Sequence, residues 1–167
     1  FNPNKFQWRL FSVNEDIPEH VLAWLLDNQS LTTKLRNKYS NFCVNIISQE
    51  ECKPYECELN LLGNSKIQTF IVREVELIGY GQPVVFARSV IPKNRDTDII
   101  LTIGSKPLGE ILFNDPTITR GQLEVGSFNK IWARRSTFTI AETKLLAKLF
   151  REPALTEAEN WEFGLAF

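Results

Sequence analysis

The chain has 167 residues, 43% of them hydrophobic and 23% charged, the balance of an ordinary globule and not of a fibrous or disordered chain. That length suits one domain spanning 1–167, able to bury roughly two-thirds of its unfolded surface. A net charge of -1 disfavours a nucleic-acid backbone as partner, and no segment approaches the ~20 apolar residues of a membrane span.

In chain order, Phe1 to Asn14 is of mixed polarity, with Phe6, Trp8 and Phe11 available to dock on the body. Asp16-Ile17-Pro18 predicts the start of a helix, and Val21, Leu22, Leu25 and Leu26 form its apolar stripe. Asp27-Asn28-Gln29 breaks it, and Ser30 can cap a second helix over LTTKLRNKY, so a short helical hairpin should cover one face of a sheet. Phe42–Ser48 alternates as a strand, with Cys43 expected in the core, and Gln49–Glu58 reads as a loop or weak edge. Gly63-Asn64-Ser65 marks a turn.

Thr69–Pro92 follows as two apolar, β-rich runs around Gly79-Tyr80-Gly81-Gln82-Pro83, the pattern of an antiparallel hairpin. Lys93–Asp98 is a charged connection, Ile99–Ile103 a short apolar strand, and Lys106–Phe113 a helical turn whose free amides could meet an anion. Thr117–Val125 and Ile131–Ile140 read as strands. In the second, Trp132, Arg134, Ser136 and Phe138 take one face and Ala133, Arg135 and Thr137 the other. Arg134 and Arg135 read as structural, with Glu124 as a partner for one of them. Thr143–Phe150 has the composition of a helix but the position of a closing strand, and Leu155–Phe167 is left without assigned structure. Strands in succession with helices gathered near the start predict an α+β domain with an antiparallel sheet.

The chemistry available is narrow. One histidine, His20, and three cysteines (Cys43, Cys52, Cys57) without C-x-x-C spacing argue against a zinc site, serine–histidine catalysis and a disulfide framework. No glycine-rich phosphate loop and no signal-peptide pattern is present. The expectation is a cytoplasmic protein needing neither metal nor cofactor. Within the hairpin, Arg73 shares a face with Ile71, Val75 and Leu77, and Arg88 with Val84, Phe86 and Val90. An unpaired guanidinium on a dry face costs several kcal/mol, so each needs an anion, supplied either by the chain itself or by a ligand.

Six pieces of this sequence resemble the chorismate lyase (chorismate pyruvate-lyase) family: WLLDNQSLT at Trp24–Thr32, VRE at Val72–Glu74, ARSVIP at Ala87–Pro92, KPLGEILF at Lys106–Phe113, TRGQLEVG at Thr119–Gly126 and WARRS at Trp132–Ser136. They lie in the family's order and spacing. The resemblance implies a monomeric α+β fold with a six-stranded antiparallel sheet. It implies conversion of chorismate to 4-hydroxybenzoate and pyruvate without a cofactor, the first step toward the ubiquinone ring.

It further implies that Arg73 and the backbone at Leu108 bind the ring carboxylate, that Leu31 is an apolar lid residue, and that Arg88 belongs to the same pocket. We assign Arg88 to the enolpyruvyl end of the substrate. The family carries a glutamate that contacts the product hydroxyl where this chain has Lys148, which could donate to that hydroxyl or mark an impaired copy. Two alternatives stand beside the lyase: a non-catalytic aromatic-acid-binding domain of the same fold, and an inactive homologue that still grips the acid.

Overall fold

The computed structural model describes residues 5–12, 16–26, 30–63 and 68–151. The expected break at 27–29, the Asn64-Ser65 part of the turn and the 155–167 tail lie outside them. The elements run β1 (Gln7–Leu10), α1 (Glu19–Leu25), α2 (Leu31–Lys38), β2 (Cys43–Glu51), α3 (Glu56–Leu62), β3 (Phe70–Gly79) and β4 (Gln82–Pro92). After them come α4 (Asp98–Leu101), α5 (Leu108–Asn114), β5 (Thr119–Arg120), β6 (Glu124–Phe128), β7 (Ile131–Ile140) and β8 (Thr143–Arg151). The strands form one antiparallel sheet in the order β1-β6-β7-β8-β4-β3-β2, with β5 beside β7.

The α+β class is as expected, but among the described residues the sheet has eight strands and not six. β1 comes from the N-terminal stretch, where no strand was expected. The single run expected over Thr117–Val125 is two strands, interrupted after Arg120 by Gly121-Gln122-Leu123. The β3–β4 hairpin turns on Tyr80 and Gly81, both left-handed at φ 51° and 74°, the backbone that matches strand twist in a two-residue loop.

Three other expectations are corrected. Ile99–Ile103 is not a strand: α4 buries Ile100 completely and leaves Ile99 in solvent, and Thr97 O accepts from both Ile100 N and Leu101 N. Gln49–Glu58, expected as a loop or weak edge, does hold the end of edge strand β2, but its last residues, Glu56–Glu58, begin the helix α3. Cys43 is exposed on the edge strand, whereas Val44 packs inward. The ambiguous Thr143–Phe150 run is β8, because it completes the sheet between β7 and β4.

The two faces of the sheet are covered differently. On one, Val75, Leu77 and Val85 pack under Leu31, Leu35 and Tyr39 of the α2 side. Beside them Ile91, Phe138 and Leu145 pack under Ile100 of α4 and Leu112 of α5. On the other, Phe70, Val90 and Leu146 lie against Leu59 and Leu62 of α3. There too Phe86, Ala133 and Phe150 meet Phe6. Full burial of each such side chain contributes ~1.5–3 kcal/mol, so both layers are held firmly and what lies between clusters is set by residue size.

Candidate active site

Across the middle of the sheet the register aligns Arg73 with Ser89, Ser89 with Ala147, and Ala147 with Ser136. Three small side chains in succession leave a hollow between the two apolar clusters on the α2–α5 side. Leu31 and Thr32 at the start of α2, and Leu108 and Gly109 at the start of α5, close it from above. The fit around Gly109 is tight, since a Cβ at that position would approach the hydroxyls of Ser30 and Thr32 at 3.2 Å. Arg36 and Glu110 form an ion pair that ties α2 to α5 at this closure.

Arg73 stands in the cavity wall with only 2% of its surface exposed. Its Nη1 donates to Gln49 Oε1 at 2.6 Å, and its Nη2 to Gly104 O at 2.7 Å and Lys106 O at 3.3 Å. All three acceptors are neutral, so they orient the guanidinium without neutralising it, and two of its five N–H donors stay available. Burial draws its pKa below the ordinary arginine value, with no carboxylate to oppose the shift. Arg134 also reaches this side, where Nη1 donates to Trp24 O at 3.3 Å and Leu25 O at 3.4 Å. That satisfies carbonyls at the end of α1 and ties the helix to the sheet.

The opposite face of the same strands is built on charge. The register lines up Glu74, Arg88, Lys148, Arg135 and Glu124 across β3, β4, β8, β7 and β6. Glu58 of α3 enters this row from outside the sheet. Its carboxylate accepts from Arg88 Nε at 2.8 Å and Nη2 at 3.1 Å, and it also pairs with Lys148. Glu74 takes Arg88 Nη1 at 2.6 Å, and Glu124 takes Arg135 Nε at 2.7 Å. Three cations thus meet three carboxylates. Tyr55, whose N–H donates to Glu58 Oε2 at 2.9 Å, covers Arg88 with its ring 4.5 Å away.

Burial by itself would raise the Glu58 carboxyl, but the Arg88 hydrogen bonds and then Lys148 outweigh it and hold the group below its ordinary value. Burial likewise opposes the charge on Arg88, yet Glu58 first and Glu74 second lift it above the usual arginine range. Burial also draws Lys148 down, and Glu58 only partly offsets the effect.

These positions sort the residues named from the sequence. Arg73, Leu31 and Leu108 come together around the cavity. Arg88 and Lys148 do not join them: the register sets Glu74, and not Arg73, opposite Arg88, which turns both cations onto the far face toward Glu58. The expectation that Arg88 shares a pocket with Arg73 is therefore corrected. Glu124 does pair with an arginine, Arg135. Sequence reading missed Glu58, hidden in a stretch taken for loop, and Arg120, which lines the cavity from β5. It also missed the small floor of Ser89, Ala147 and Ser136. The signal was present in A-R-S, A-K-L and R-R-S, where apolar strands shrink to small residues beside a charge. Among the described residues no cluster of three or more His, Cys, Asp or Glu could hold a metal, and no helix is long and apolar enough to cross a membrane.

The chorismate lyase family model matches residues 3–160. A "Probable chorismate pyruvate-lyase" of Aromatoleum aromaticum is 32% identical over 93% of this chain and 96% of its own length. One of Pseudoalteromonas atlantica is 34% identical over 78% of this chain and 79% of that protein. The "Chorismate pyruvate-lyase" of Pectobacterium carotovorum subsp. carotovorum is 30% identical over 78% and 75%. A solved structure described as a possible transcriptional regulator, YydK of Bacillus subtilis, aligns at a TM-score of 0.46 and 12% identity over 66% of this chain and 57% of that one, too loosely to bear on function. With a family match along nearly the whole length and relatives at about a third identity, the chain belongs to the chorismate lyase family.

Proposed function

We propose that the protein eliminates pyruvate from chorismate to give 4-hydroxybenzoate, a precursor of the ubiquinone ring. One observation carries the reading: Arg73 is buried beside a small-floored cavity and held only by neutral acceptors, so its charge suits an anionic guest. A carboxylate there would accept from a remaining N–H of the guanidinium, meet its charge and repay its desolvation. Leu31 and Leu108 would lie against the ring. The reading includes a monomeric cytoplasmic enzyme that needs no cofactor.

In the reaction, the ring C–H on the hydroxyl-bearing carbon releases its proton and that electron pair completes the aromatic ring. The neighbouring C–O bond to the enolpyruvyl group breaks with its electrons on the leaving oxygen, which is protonated and tautomerises to pyruvate. Aromatisation supplies the driving force. The protein's share is to fix the substrate carboxylates and exclude water. Lys148 lies across the sheet from the cavity and is engaged by Glu58, so no step of this scheme is assigned to it.

Incubation with chorismate should release pyruvate and 4-hydroxybenzoate in equal amounts. Arg73→Ala should lower kcat/KM by ~10²–10³-fold and weaken 4-hydroxybenzoate binding, the cost of truncating one partner of a buried charged pair. Binding of 4-hydroxybenzoate by the wild type without any pyruvate would select the non-catalytic alternative.

A further inference from the structure

Arg120 lines the same cavity as Arg73, and no carboxylate among the described residues meets its charge. β5 is two residues long, and its place is fixed closely: Arg120 pairs with Phe138, Gly121 N donates to Thr137 O at 2.8 Å, and any Cβ on Gly121 would collide with the Thr137 hydroxyl. The guanidinium carbon lies 5.2 Å from the Phe113 ring and 5.7 Å from Phe138. Nε donates to Ser136 Oγ at 3.2 Å, and both terminal amino groups have no acceptor among the described residues. A guanidinium anchored through Nε with its two terminal nitrogens available is the fork that matches a carboxylate.

Its position is complementary to that of Arg73. Both line the same cavity, but β4, β8 and β7 intervene between β3 and β5, four strand spacings or roughly 19 Å of backbone. Two long side chains entering from opposite ends leave room between them for a small molecule with an anionic group at each end. Arg88 is saturated by Glu58 and Glu74, and Arg134 is tied to the carbonyls ending α1, so neither competes for that role. Burial draws Arg120, like Arg73, below the ordinary arginine range.

We infer that Arg120 receives the enolpyruvyl carboxylate of the substrate while Arg73 holds the ring carboxylate, which makes Arg120 the residue that distinguishes the dianionic substrate from its monoanionic aromatic product. This rests on the lyase reading above. The two differ in what they predict: loss of Arg120 should harm only ligands with the second carboxylate.

The test measures kcat/KM for chorismate and Kd for 4-hydroxybenzoate in the wild type, Arg120→Ala, Arg120→Lys and Arg73→Ala, with thermal melts to verify folding. Arg120→Ala should reduce kcat/KM for chorismate by about a hundredfold while 4-hydroxybenzoate affinity moves less than about threefold, and Arg120→Lys should recover part of the loss. Arg73→Ala should weaken both ligands. Equal losses for substrate and product in Arg120→Ala, or no loss for chorismate, would overturn the assignment. If the wild type leaves chorismate intact, the lyase reading fails by itself, and the ratio of chorismate to 4-hydroxybenzoate affinities in Arg120→Ala decides the role of Arg120 instead. A wild type that binds neither ligand overturns both.

Discussion

On β4 and β8, Arg88 and Lys148 point toward α3 and meet Glu58, while one residue along the same strands Ser89 and Ala147 point the other way and floor a cavity. The first face neutralises its cations with the protein's own carboxylates. The second leaves Arg73 and Arg120 with neutral acceptors only. Both arrangements take guanidinium groups out of water at a cost of several kcal/mol, but only the far face offsets that cost within the fold. The cavity face defers it to a ligand. A buried cation is thus no sign of function until its counter-charge has been located.

Glu58→Ala would test the far face most severely. It strips Arg88 of two hydrogen bonds and Lys148 of its carboxylate, and should cost about 3–5 kcal/mol in urea unfolding. The affinity of surviving folded protein for 4-hydroxybenzoate should change little. If instead ligand binding collapsed with stability intact, the division between the faces would be broken.

Lys148→Glu is nearly as large and bears on the family's replaced glutamate. A second carboxylate beside Glu58 would leave Arg88 to serve both, so the variant should lose about 3 kcal/mol and gain no turnover. A rise in kcat would return residue 148 to the chemistry.

Acid sharpens the same point. The folded Glu58 carboxyl lies below its unfolded value, so its stabilising contribution is complete above the ordinary carboxylate range and drains away as pH falls through the folded value. Glu58→Gln should therefore be less stable than wild type at neutral pH and show a flatter decline in acid, followed by denaturation midpoints from pH 7 to pH 3.

The smallest effect is expected on the cavity side. Gly109→Ala pushes a methyl group against the Ser30 and Thr32 hydroxyls where α2 and α5 meet. Stability should fall by about 1 kcal/mol, and 4-hydroxybenzoate should dissociate severalfold faster. An unchanged release rate would mean that the closure over the cavity is not where the ligand is retained.

Much of this was legible in the residues. Period-two alternation put Arg73 with Val75 and Leu77, and Arg88 with Phe86 and Val90, and the turn at Tyr80-Gly81 was visible as a hairpin. Leu31 and Leu108, named from the family resemblance, do stand at the cavity. What misled was the family resemblance, which set Arg88 in one pocket with Arg73; seeing otherwise took more than alternation. It needed the cross-strand register, and it needed Glu58, which lies thirty residues before Arg88 in a polar stretch with no strong helix pattern.

The sequence by itself determined which side chains share a face within each strand, the antiparallel hairpin and the family, because these depend on local alternation, turn chemistry and ordered motifs. Tertiary structure alone decided which face each arginine joined and what neutralised it. Pairing Arg88 with Glu74 rather than placing it beside Arg73, and bringing Glu58 down onto β4 and β8, depend on how distant segments close against each other. Counter-charges in a folded chain are set by proximity in space, which alternation along one strand does not encode.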